Sequence, residues 1–99
     1  MEPEFSFEWD PRKAALNLLK HGVAFTEAAS AFIDEAGLLL DDPAHSAGEP
    51  RFILLGRSEG GRLLVVVHCL RAEGRVIRLI SARLANRRER RVYTERTPS

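Results

Sequence analysis

The sequence is poor in the residues that staple, anchor or catalyse by themselves. It has a single cysteine among 99 residues, so no internal disulfide can support the fold and a packed core must do so. Its longest apolar runs, "LLVVV" and "GLLL", fall far short of the roughly 20 residues that a membrane-spanning helix needs. No apolar segment follows basic residues near the start, which argues against a secretory signal and for a cytoplasmic protein. Glycine-rich phosphate loops, G-x-S-x-G elbows and H-E-x-x-H helices are all missing. The histidines at 21, 45 and 68 and Cys69 lack the spacing of zinc ligands, and neighbours on a strand such as His68 and Cys69 point to opposite faces. Neither a bound metal nor an organic cofactor is expected, and Cys69 reads as inert core.

What is present is enough for one domain with one modest core: 44% of the residues are hydrophobic, and an ordered core over about residues 5–95 is expected. Charge is unevenly distributed along the chain. Residues 1–50 carry a net −7, residues 51–70 a net +2 and residues 71–99 a net +6. From Arg78 to Glu95 six arginines stand against two glutamates. Such a block suits an anionic polymer, which responds to the local field and not to net charge. The alternative is that the acidic half folds back and neutralises it.

Local patterns predict an α+β fold. "FSFEW" alternates like a half-buried strand. Asp10 as N-cap, Pro11 at the first turn and Gly22 as terminator delimit a helix with Ala15, Leu18 and Leu19 as its buried stripe and Lys13, Asn17, Lys20 and His21 as a polar one. Thr26 can cap a second short helix that turns Phe32 and Ile33 inward. "GLLLDD" reads as a strand and "PAHSAGEP" as a loop. "RFILLG", "RLLVVVHCL" and "RVIRLISAR" then form an antiparallel meander. A three-residue loop at Ala72–Gly74 would set His68 opposite Arg78, with Val65, Val67, Cys69, Ile77 and Leu79 on the face beneath the helices. Asn86 and Glu89 have the form of a capping box for a last, arginine-rich helix. Its first turn holds Arg87 and Arg88 against the positive end of the helix dipole, an arrangement that a bound phosphate would relieve.

These groups match what metal-free RNA cleavage requires: removal of the 2′-hydroxyl proton, stabilisation of the phosphorane and protonation of the leaving 5′-oxygen. Lys20, His21, His68, Arg78, Arg83 and Tyr93 are the candidates, with Lys13, Arg87, Arg88, Arg90 and Arg91 to hold the RNA backbone. Each also has a plain structural reading. His21 can cap a helix, His68 can be a hydrogen-bonded sheet residue, and Tyr93 can anchor the last helix.

"FEWDPRKAALNLLKHGVAFTEAASAF", "RLLVVVH" and "IRLISARLANRRERRVYTE", in this order, resemble the BrnT family of bacterial type II toxins. The most specific pieces are Trp9-Asp10, Lys20-His21-Gly22, Ser81-Ala82-Arg83 and Arg88-Glu89-Arg90. The resemblance implies a RelE-like ribonuclease fold: an antiparallel sheet with two N-terminal helices packed on one face, a short basic C-terminal helix, and RNA cut on the opposite face. It carries site roles onto Lys20, His21, Arg83, Arg90 and Tyr93; His68 and Arg78 come from the sheet geometry alone. It also implies an RNA substrate and a cognate BrnA-like antitoxin whose ribbon-helix-helix domain binds operator DNA, with no membrane involved. A non-catalytic RNA-binding or repressor-complex protein is the rival reading.

Overall fold

A computed structural model describes residues 5–42 and 48–96. The elements run β1 (Ser6–Glu8), α1 (Pro11–His21), α2 (Phe25–Ser30) with a 3₁₀ turn at Ala31–Ile33, β2 (Leu38–Asp41), β3 (Phe52–Arg57), β4 (Leu63–Arg71), β5 (Val76–Leu84) and α3 (Arg87–Arg96). The five strands form one sheet in the order β1-β5-β4-β3-β2. It is mixed and not purely antiparallel, because β1 runs parallel to β5, pairing Ser6 with Val76 and Glu8 with Arg78. The expected loop at "PAHSAGEP" lies largely outside the described residues. No described helix is long and apolar enough to cross a membrane.

Helix α1 begins and ends as its sequence predicts. The Asp10 carboxylate accepts from the Arg12 amide at 2.9 Å, and Gly22 closes the helix with φ at 70°. Its packing is different from the expected stripe. Leu18 and Leu19 are exposed, and the buried residue is Asn17. Asn17 donates to the carbonyls of Val23 and Ala82 and accepts from the Ala82 amide at 3.0 Å, so its amide clamps α1 to β5. A buried amide can sit there because each of these bonds offsets its desolvation. Helix α2 starts at Phe25 with no side-chain cap from Thr26, and Ile33 points outward instead of in. At Gly56 an added Cβ would lie 2.9 Å from the Ala31 carbonyl oxygen, so glycine lets the 3₁₀ turn press directly on β3.

The register of β4 with β5 also departs from expectation. Arg71 pairs with Val76 across a four-residue turn in which Ala72, Glu73 and Gly74 all have positive φ. Val67 pairs with Ser81 but His68 with Leu79, which leaves Ile80 as a bulge residue. His68 therefore does not face Arg78. The faces follow from this shift. Leu64, Val66, Ile77, Leu79 and Ala82 meet Phe25, Ala28 and Ala31 in one core beneath α1 and α2. Leu55, Leu63, Val65, Ala85 and Tyr93 form a second core on the other face, beneath α3. Val65 and Cys69 thus lie away from α1 and α2, the reverse of the sequence assignment.

Candidate nucleic-acid interface

Helix α3 is fixed at both ends by polar side chains and so presents a defined face. At its start the Asn86 side-chain oxygen accepts from the Glu89 amide and a Glu89 carboxylate oxygen accepts from the Asn86 amide, both at 2.8 Å. Toward its end the buried Tyr93 donates its hydroxyl proton to Asp34 at 2.7 Å. Burial would raise the Asp34 pKa, but bonds from the Arg57 amide, the Tyr93 hydroxyl and the Ala36 amide outweigh it and hold the carboxyl below its ordinary range. Partial burial and the adjoining carboxylate both push the tyrosine upward. Anchored this way, α3 turns Arg87, Arg88, Arg90 and Arg91 into solvent. Among the described residues none of the four has an ion-pair or hydrogen-bond partner through its side chain.

Beside the first turn of α3 the bare part of the sheet forms an open cleft of about 300 Å³. Val67 and Ile80 belong to its apolar floor, and Asp42, Arg51, Ser81 and Arg83 supply its polar groups. The bulge makes this possible, since it turns both Ile80 and Ser81 toward that side. Arg83 is held as a fork, donating to both carboxylate oxygens of Glu89 at 2.8 Å and to the Leu84 carbonyl at 3.2 Å. The pairing holds the Glu89 carboxyl below its ordinary range and raises the guanidinium pKa. Those three bonds leave two guanidinium N–H groups of Arg83 for another acceptor. Arg78 instead donates to Glu8 at 3.0 Å, and Arg71 pairs with Glu49 at 3.1 Å.

The remaining sequence candidates are distributed unevenly around this cleft. The Asn17 clamp brings the end of α1 beside the end of β5, so Lys20 and His21 share one end of the molecule with Arg83 and the start of α3. Lys13 lies at the other end of α1, on the helix-covered face. His68 is 1% exposed, wedged against Phe32 with ring centroids 4.8 Å apart. Burial lowers its pKa, with the Val66 carbonyl opposing the shift. It reaches neither the cleft nor Arg78, because the bulge rotates it into the core. Arg51, Asp42 and Glu89 are the members of this region that sequence reasoning missed. Glu89 was visible only as a cap, and its second role becomes apparent only when Arg83 is seen six positions away across the turn. Among the described residues no three His, Cys, Asp or Glu side chains gather as a metal site.

The family model for "Ribonuclease toxin, BrnT, of type II toxin-antitoxin system" matches residues 9–89. The chain belongs to the BrnT family. That match spans every element from α1 to the first turn of α3, including both sides of the cleft. Among solved structures, the chain is similar in fold to the Brucella abortus ribonuclease toxin BrnT, with a TM-score of 0.63 and 19% identity. The alignment covers 84% of this chain and 99% of the Brucella chain. A comparison with curated protein sequences gives no match.

Proposed function

We propose that the chain is an endoribonuclease toxin that cuts RNA by attack of the 2′-hydroxyl on its own phosphate, without a metal. It inhibits translation and growth until a cognate antitoxin neutralises it. The observation that carries this reading is the meeting of Arg83, Arg51 and Ser81 in one open cleft that the Arg83–Glu89 pair ties to the start of α3, whose exposed Arg87, Arg88, Arg90 and Arg91 have no side-chain partner among the described residues, in a BrnT-family chain. The α3 arginines hold the RNA backbone through phosphate contacts. The free N–H groups of Arg83, aided by Arg51, stabilise the dianionic phosphorane. His21 and Lys20, at the same end of the molecule, exchange the protons. Tyr93 positions α3 through Asp34 and takes no part in proton transfer. Arg78 holds β1 through Glu8. The antitoxin is a BrnA-like protein whose ribbon-helix-helix domain binds operator DNA, and it masks the α3 arginines with an acidic segment.

The test is incubation of the purified chain with RNA in EDTA, followed by analysis of the product ends. Wild type yields 5′-hydroxyl and cyclic or 3′-phosphate ends, and Arg83→Ala slows cleavage by roughly 10²- to 10³-fold, the scale of losing one oxyanion donor. Intact RNA in the wild-type reaction refutes the enzymatic reading. The engagement of Arg83 by Glu89 gives a second reading some support: a non-catalytic RNA-binding subunit of a repressor complex. Salt-dependent binding with no products identifies that case.

A further inference from the structure

The outermost face of α1 is apolar where a surface helix is ordinarily polar. Asn17 and Ala14 face the sheet, which turns Leu16 and Leu19 directly outward, 64% and 84% exposed. Leu18, itself 52% exposed, borders a groove of about 230 Å³ lined by Trp9, Ala15, Ala24 and Phe25. Scattered exposed leucines are ordinary, but three on one helix beside an apolar groove form a contiguous patch. Basic residues flank it. Arg12 and Lys13 lie four and three positions before Leu16, and the sequence from 11 to 21 contains no Asp or Glu. A second copy of this chain would bring like charges together across the contact, so charge selects a different occupant.

We infer that this face of α1 and its groove seat an amphipathic acidic helix of the antitoxin, with apolar anchors over Leu16, Leu18 and Leu19 and carboxylates against Arg12 and Lys13. The inference rests on the proposed toxin–antitoxin function and adds a site to it. The patch lies on the side of the sheet opposite the cleft, so the partner grips the toxin from behind while another segment masks α3. Helix-in-groove docking of this kind reads anchors at spacings of three, four and seven. RNA does not compete for such a patch, which lets the antitoxin stay attached while the cleft is occupied.

The test uses the full chain and, as probe, the purified product of the reading frame adjacent to its gene. Leu16→Glu with Leu19→Glu is expected to weaken binding at least 100-fold while RNA cleavage stays at the wild-type rate. Leu16→Met with Leu19→Met keeps wild-type affinity, and Arg12→Glu slows association about tenfold at low salt. Circular dichroism matching wild type shows that the exposed substitutions leave the fold intact. Affinity within threefold of wild type for the double glutamate variant overturns the site. A wild-type dimer that this variant makes monomeric overturns it in favour of a second copy. If the wild-type chain cuts RNA but does not bind the probe, the antitoxin reading falls and this site with it. If replacing Arg87, Arg88, Arg90 and Arg91 with glutamine abolishes binding and the double glutamate variant does not, the masking contact stands and the α1 site falls.

Discussion

At the scale of single residues, two side chains hold roles other than those that pattern alone gave them. Asn17 belongs to a polar stripe in sequence, yet it is the buried clamp of α1, because a side-chain amide can satisfy both the Ala82 amide and carbonyl at once. His68 is a catalytic candidate in sequence, yet it is core, packed against Phe32 and Phe52 with its Nδ1 3.2 Å from the Val66 carbonyl. Its burial has a consequence for pH. A folded-state pKa lowered below the ordinary value of about 6.5 means the unfolded chain takes up the proton first, so stability falls as the pH drops through that value. The slope approaches about 1.4 kcal/mol per pH unit for one such group. Urea unfolding of His68→Phe is expected to show less loss of stability between about pH 7 and 5 than wild type. An equal loss in both proteins assigns the effect to other groups.

At the scale of elements, boundaries were more legible than faces. Asp10, Gly22 and the Asn86–Glu89 box are local signals, and each stands where it was read. The mixed sheet, the four-residue turn at Ala72 and the bulge at Ile80 were not legible, because strand direction and register depend on partners distant in sequence. One wrong register assignment was enough to invert the faces of β4 and to set His68 against Arg78. The candidate site followed the same division: the α3 arginines and Arg83 were visible as a cluster, whereas Arg51 joins them only through strand pairing. Glu89 shows what the arrangement does. It caps α3 and also competes with any phosphate for Arg83. Glu89→Gln keeps the acceptor for the Asn86 amide and removes the charge. The expected outcome is tighter RNA binding with stability lowered by about 1 kcal/mol, measured by fluorescence titration and urea unfolding. Unchanged affinity removes Arg83 from the RNA contact.

At the scale of the whole molecule, the charge asymmetry of the sequence resolves into both of its readings. Part of the acidic half does fold back: Glu8 meets Arg78 and Arg71, Glu27 meets Arg62, and Glu49 meets Arg71. Among the described residues these pairs do not extend to Arg87, Arg88, Arg90 and Arg91 of α3, which stay exposed to an external anion. Replacing Arg87, Arg88, Arg90 and Arg91 with glutamine is expected to flatten the salt dependence of RNA binding by about 3 in logarithmic slope, the value for four single-strand phosphate contacts. A slope equal to wild type makes the cluster a solvated helix face. The proposed function gives the molecule two sides, a cleft with Arg51 and Arg83 beside α3 for RNA and an apolar, lysine-edged helix on the opposite face of the sheet. The most direct measurement of that division is a nuclear magnetic resonance titration of the chain with an RNA oligonucleotide bearing 2′-O-methyl groups, which binds without being cut. Amide shifts concentrated at Arg51, Ser81, Arg83, Lys20, His21 and the first turns of α3, with Arg12, Lys13 and Leu16 unmoved, are the expected result; shifts centred on Arg12, Lys13 and Leu16 contradict the account.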